Sequence, residues 1–114
     1  MAATAQLAPM RPNALTATGA LLGTPFYMAP ESGRDGRTVG APADVFAFGI
    51  IACELLTGRP PFRLPTLFAT MAGEDLPPPI LDGVPDDLRA LIVRCLAEDP
   101  ALRPTMKQVM RALE

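Results

Sequence analysis

The stretch PADVFAFGIIACELL, residues 42–56, constrains this chain more than any other part of it. Pro42 suits the first turn of a helix, where a missing N–H has no partner to lose, and Gly58 suits the left-handed cap just past the end. The sequence therefore predicts a helix over 42–57 with both ends marked. Its apolar residues encircle it rather than forming one stripe, the pattern of a helix buried on most sides. A chain of 114 residues has little other material with which to surround such a helix. Part of its packing shell is expected to be missing.

Hydrophobic residues make up 49% of the chain and charged residues 19%, enough for one small core under a soluble surface. The formal net charge is −2 and the basic residues do not cluster, which argues against nucleic acid or an anionic membrane surface as partner. The chain has no histidine, so a Cys–His nucleophile is excluded and the two cysteines make no zinc site. Cys53 and Cys95 each lie in apolar, helix-like sequence, where buried free thiols are expected rather than a disulfide. The start, MAATAQLAPMRP, lacks the charged and long apolar regions of a signal peptide. The longest apolar run, Val45–Cys53, is about half of what a membrane span needs, and Glu54 ends it. A cytoplasmic chain with no membrane segment is the expectation.

Elsewhere the chain is punctuated by proline. Residues 1–20 are rich in Ala, Thr and Pro and sustain no period, so a loop is expected there. LLGTPFYMAPE, residues 21–31, is too broken for a helix and too Pro-rich for a central strand, with a short turn of helix expected just after Pro30. Past the GRPPF turn a short helix is expected over 66–72, then the extended connector LPPPILDGVP. Leu88, Leu91, Ile92, Cys95 and Leu96 recur at helical spacing, which predicts an amphipathic helix over 86–97. A last helix over 104–113 is expected to begin at Pro104 and to turn Met106, Val109, Met110 and Leu113 inward. No strand pattern and no repeat is present.

Three phrases in order carry a resemblance. GTPFYMAPE (23–31), DVFAFGIIACELLTGRPPF (44–62) and LIVRCLAEDPALRPT (91–105) together resemble the C-terminal lobe of protein kinases, most of all bacterial kinases of the eukaryotic Ser/Thr type. The resemblance covers residues 14–114. It implies a mainly α fold, the helical portion of a kinase C-lobe, lacking the β-rich N-lobe and the catalytic loop. Residues 1–22 would be an activation-loop-like flexible segment, and residues 23–114 a partial C-lobe with the substrate-docking loop and the helices after it.

The same resemblance assigns roles. Gly23, Thr24, Pro25 and Tyr27 fall in the loop that docks the protein substrate. Thr24 matches the threonine that bonds the catalytic aspartate and lysine in Ser/Thr kinases; by local physics alone it caps a turn at Pro25. Glu31 matches the glutamate that pairs with a distant arginine, here Arg103, and a close contact between them is expected. Otherwise both are ordinary surface charges. Asp44 matches the aspartate that anchors the catalytic loop on the central helix, while as an acid in a first turn it also suits the helix dipole. Glu54 sits where some relatives hold a basic substrate residue, a position equally suited to an exposed helical acid. Thr16 and Thr18 resemble paired activation-loop phosphorylation sites, and are equally well two small polar residues of a loop.

Phosphoryl transfer in this family needs a Gly-rich loop, a strand lysine, a catalytic aspartate with its asparagine, and the metal-binding aspartate of DFG. None of these motifs occurs in the sequence. No catalytic residue, metal ligand or cofactor-binding residue is therefore expected in this chain, and ATP and Mg belong to the intact family. Met1-Ala2 would fit directly after a DFG, so Met1 is expected to be an internal methionine of a longer kinase or the start of a gene without its front half. The expected function is a fragment of a protein Ser/Thr kinase, carrying the docking and activation-loop parts and inactive alone. Its expected partners are a protein substrate or the missing kinase half. The alternatives are a non-catalytic kinase-like binding module and a non-functional truncation product.

Overall fold

The computed structural model describes residues 24–35 and 40–114. Five helices and two short 3-10 turns follow one another, with no strand among the described residues. A 3-10 turn at Thr24–Tyr27 precedes α1 (Ser32–Asp35), then α2 (Ala41–Thr57), α3 (Thr66–Met71), α4 (Asp86–Cys95), a second 3-10 turn at Pro100–Leu102, and α5 (Met106–Ala112). Among the described residues the regular structure is all helical, in line with the mainly α fold that the resemblance implies.

α2 is the spine. Pro42 lies in its first turn and Gly58 closes it at φ 80°, with the Gly58 N–H donating to the carbonyl of Glu54. Its buried stripe is Val45, Phe46, Gly49, Ile50 and Cys53. Phe46, Ile50 and Cys53 join Ala29, Phe62, Leu81, Val84, Ile92 and Leu96 in the main core. Val45 turns the other way, into a smaller cluster with Leu91, Cys95 and Val109. α4 crosses this stripe so closely that a Cβ on Gly49 would stand 2.9 Å from Leu96 Cδ2 and 3.1 Å from Cys95 Cβ. Both cysteines are buried and free.

Burial of α2 on most sides is not what the fold delivers. Ile51, Leu55 and Leu56 are exposed, Leu55 by 82%, because the described elements pack against one stripe only. The encircling apolar pattern is real, but its Ile51, Leu55 and Leu56 side faces solvent.

The ends of the last two helices also differ from expectation. α4 stops at Cys95 rather than near 97, because the carbonyls of Ala97 and Glu98 turn away to accept hydrogen bonds from Arg103. Asp99 then caps the next turn, its Oδ1 accepting from the Ala101 N–H at 2.9 Å. α5 begins at Met106, after Pro104. Thr105 is its cap, accepting from the Gln108 N–H while Gln108 Oε1 accepts from the Thr105 N–H. Of its four expected inward residues only Val109 is buried. Met106, Met110 and Leu113 are exposed, Met110 by 68%, since no described element lies over that face.

Candidate functional site

The segment before α1 has two sides. The Met28 N–H donates to the carbonyl of Pro25, closing the 3-10 turn, and the N–H groups of Ser32 and Gly33 bond to Ala29 and Pro30 as the chain enters α1. Pro25, Ala29 and Pro30 are buried, while Tyr27 and Met28 face outward. Thr66 Oγ1 donates to the Met28 carbonyl at 3.4 Å, tying the segment to the start of α3. Gly33 completes that tie, because its α-carbon lies so near α3 that a Cβ would come 2.6 Å from the Leu67 carbonyl oxygen. The neighbour is rigid backbone, so Gly33→Ala is expected to force α1 from α3 and cost about 1–3 kcal/mol in urea unfolding. Unchanged stability would show that α1 can move aside freely.

The anchor is Arg103, between the second 3-10 turn and α5. Its side chain is 0% exposed and its Nη2 lies 2.8 Å from Glu31 Oε1, with Nη1 2.9 Å from Oε2. Nε donates to the Ala97 carbonyl at 2.8 Å, Nη1 also to Pro42 at 3.0 Å, and Nη2 also to Glu98 at 3.2 Å. All five guanidinium N–H groups are thus used. The guanidinium carbon sits 5.0 Å from the centre of the Phe46 ring, within cation–π range. One side chain therefore joins the segment at 24–31, the first turn of α2, and the loop between α4 and α5.

Tyr27, 37% exposed, makes the other polar contact, its hydroxyl donating to Glu54 Oε1 at 2.9 Å. That bond, then partial burial and the nearby carboxylate charge, hold the phenol above its ordinary value of 10.0. The pair stabilises the fold while Tyr27 is protonated, fully so below the ordinary value, and the contribution is lost as pH rises through the raised one. Tyr27 is the only tyrosine in a chain without tryptophan, so its ultraviolet titration is unobscured. Glu54→Gln is expected to bring the tyrosinate midpoint down toward 10. A midpoint that does not move would mean the bond does not form in solution.

The remaining site expectations are placed as follows. Thr24 opens the first 3-10 turn, and Asp44 stands exposed in the first turn of α2. Gly23, Thr16, Thr18 and the whole segment 1–22 lie outside the described residues. Sequence reasoning missed Phe46 beneath the guanidinium, the carbonyls of Pro42, Ala97 and Glu98, and the Tyr27–Glu54 bond. Tyr27 and Glu54 stand 27 positions apart and Pro42 stands 61 from Arg103, while Ala97 and Glu98 are close in sequence but present only backbone carbonyls, which carry no residue-type signal.

The site is built to hold a segment in place. Burial pushes both the Cys53 and Cys95 thiols up, away from the thiolate form.

Over residues 8–113 the sequence matches the model of the protein kinase domain. The chain belongs to the protein kinase family. It is 39% identical over 105 residues to the "Probable serine/threonine-protein kinase PkwA" of Thermomonospora curvata, covering 92% of this chain and 14% of that protein. It is 41% identical to the serine/threonine-protein kinase PkaA of Streptomyces coelicolor, over 87% of this chain and 18% of the relative. It is 34% identical to PknB of Mycobacterium tuberculosis, over 88% and 17%. The chain thus spans less than a fifth of the length of these relatives.

Protein kinases as a family use ATP and Mg. Among the described residues, no three His, Cys, Asp or Glu side chains come together to hold a metal ion. No helix of this kinase-family chain, among the described residues, is long and apolar enough to cross a membrane.

Proposed function

We propose that this chain is the docking part of a Ser/Thr protein kinase. In the intact enzyme, Gly23, Thr24, Pro25 and Tyr27 would receive the protein substrate, Glu31 and Arg103 would hold that loop on the helical body, and Asp44 would anchor the catalytic loop. The observation that supports this reading is the two-pronged Glu31–Arg103 pair, which ties the segment at 24–31 to the first turn of α2 and to the loop between α4 and α5. Thr16 and Thr18 are proposed phosphoacceptors, residues 1–22 the activation-loop-like segment, and the cytoplasm the place of action. ATP and Mg would be supplied by parts of the kinase domain other than these residues, so the chain alone would transfer no phosphate.

A chimera tests this. Residues 8–113 are exchanged for the aligned stretch of the Streptomyces coelicolor kinase, and phosphate transfer to serine and threonine of a general protein substrate is measured. Activity comparable to the parent, lost on Arg103→Met, is the expected result. A folded chimera that binds ATP but phosphorylates nothing would sink the docking reading. It would favour the second one, a non-catalytic binding module, for which the bare apolar face of Ile51, Leu55 and Leu56 speaks.

A further inference from the structure

Beside α3 lies a half-open groove of about 630 Å³ that the roles above do not use. Its walls are Phe62, Leu64 and Phe68 on one stretch of chain and Pro77, Pro78 and Ile80 on the other. The size suits one or two bulky side chains. Leu64 is 66% exposed here, and the lining is largely apolar.

The groove is also held in shape. The Glu74 N–H donates to Ala69 at 2.8 Å, the Leu76 N–H to Glu98 Oε1 at 3.4 Å, and the Ile80 N–H to Pro61 at 2.7 Å. Between those pins run three successive prolines, Pro77 to Pro79, whose backbone has little freedom to lose on binding.

Its charge is lopsided. Glu74 and Asp75 both line it, both are exposed, and neither makes a salt bridge or side-chain hydrogen bond among the described residues. Arg63 is the one basic residue on the lining and is likewise unpaired. Two carboxylates against one guanidinium at an apolar cleft favour a cationic, apolar ligand and disfavour a phosphate or an acidic one.

We propose that this groove binds an extended peptide carrying a bulky apolar side chain next to lysine or arginine. The apolar side chain enters between Phe68 and Ile80, and the basic residue meets Glu74 and Asp75. The wall at 74–79 is irregular chain rich in proline, and the wall at 62–64 is a succession of bends, so together they leave an open border beside α3 along which a peptide can lie. The groove needs no ATP and no catalytic residue, so the inference holds or fails independently of kinase activity.

The test uses the full chain and a fluorescein-labelled heptapeptide with one phenylalanine between two lysines, read by fluorescence anisotropy. Saturable binding that weakens with added salt is expected. Glu74→Lys with Asp75→Lys is expected to weaken it about ten-fold or more, and Arg63→Glu to tighten it several-fold. These residues are exposed, so the variants keep the fold, which circular dichroism verifies. Phe68→Ala is expected to weaken binding in the same way, as is a peptide with alanine in place of its phenylalanine. Equal binding of a peptide with glutamates in place of the lysines, or indifference to the Glu74 and Asp75 changes, would overturn the proposal.

Discussion

Glu31→Ala is expected to destabilise the folded chain by about 3–5 kcal/mol, the largest effect of any single charge removal here. The cost comes from what stays behind. Arg103 is 0% exposed and packed over Phe46, so its charge has no route to water other than the side where Glu31 stood, itself only 19% exposed. Two of its five N–H groups lose the acceptors they hold at 2.8 and 2.9 Å. Arg103→Met removes the charge with its donors and leaves a carboxylate that is 19% exposed where the guanidinium was 0%, so a smaller loss is expected, set by that carboxylate and by the carbonyls of Pro42, Ala97 and Glu98 that lose a donor. Urea unfolding followed by circular dichroism measures both. The midpoint should fall with little change in slope. A loss below about 1 kcal/mol for Glu31→Ala would place the pair with exposed ones that contribute little.

Phe46→Ala should cost a similar amount, about 3–5 kcal/mol, for a different reason. Phe46 is fully buried on the central stripe of α2 and stacks on Phe62 with centroids 6.2 Å apart and planes 10° from parallel. The same ring lies 5.0 Å from the Arg103 guanidinium carbon. Truncation therefore empties the main core and strips the floor from the buried cation at once. Phe46→Leu refills most of the volume but removes the ring, and is expected to cost about 1.5 kcal/mol. A double-mutant cycle of Phe46→Leu with Arg103→Met isolates the cation–ring contribution, expected at about 0.5–2 kcal/mol. Strict additivity would mean that the ring acts as filler alone.

What could be read from the sequence depended on how local the cause was. The ends of α2 are written in Pro42 and Gly58, each acting on its own turn, and the face of α4 is written in the spacing of Leu88, Leu91, Ile92 and Cys95. The start of α5 was equally local, in the Thr105 and Gln108 pair, but Pro104 next to it is the louder signal and points two residues early. Spacing reveals which residues share a face, not whether anything covers it. Hence Met106, Met110 and Leu113 look like core residues and stand in solvent. The anchor lay at the far limit of legibility. Nothing in the residues themselves brings Glu31 to Arg103, 72 positions away, and only the family resemblance joins them. Phe46 and Pro42 around the guanidinium follow from tertiary packing, for which no short pattern exists, and the nearby Ala97 contributes only a backbone carbonyl that any residue would offer.

The uncovered side of α2 makes this chain's melting temperature a sensor. Any molecule that seats on Ile51, Leu55 and Leu56 in the folded form alone shifts the unfolding equilibrium by mass action, by about 2.7 kcal/mol at a hundred times its dissociation constant. For a chain of this size, that corresponds to a shift of roughly 10 °C or more. Thermal scans against candidate proteins, without any label or enzymatic assay, would therefore rank what belongs on that face.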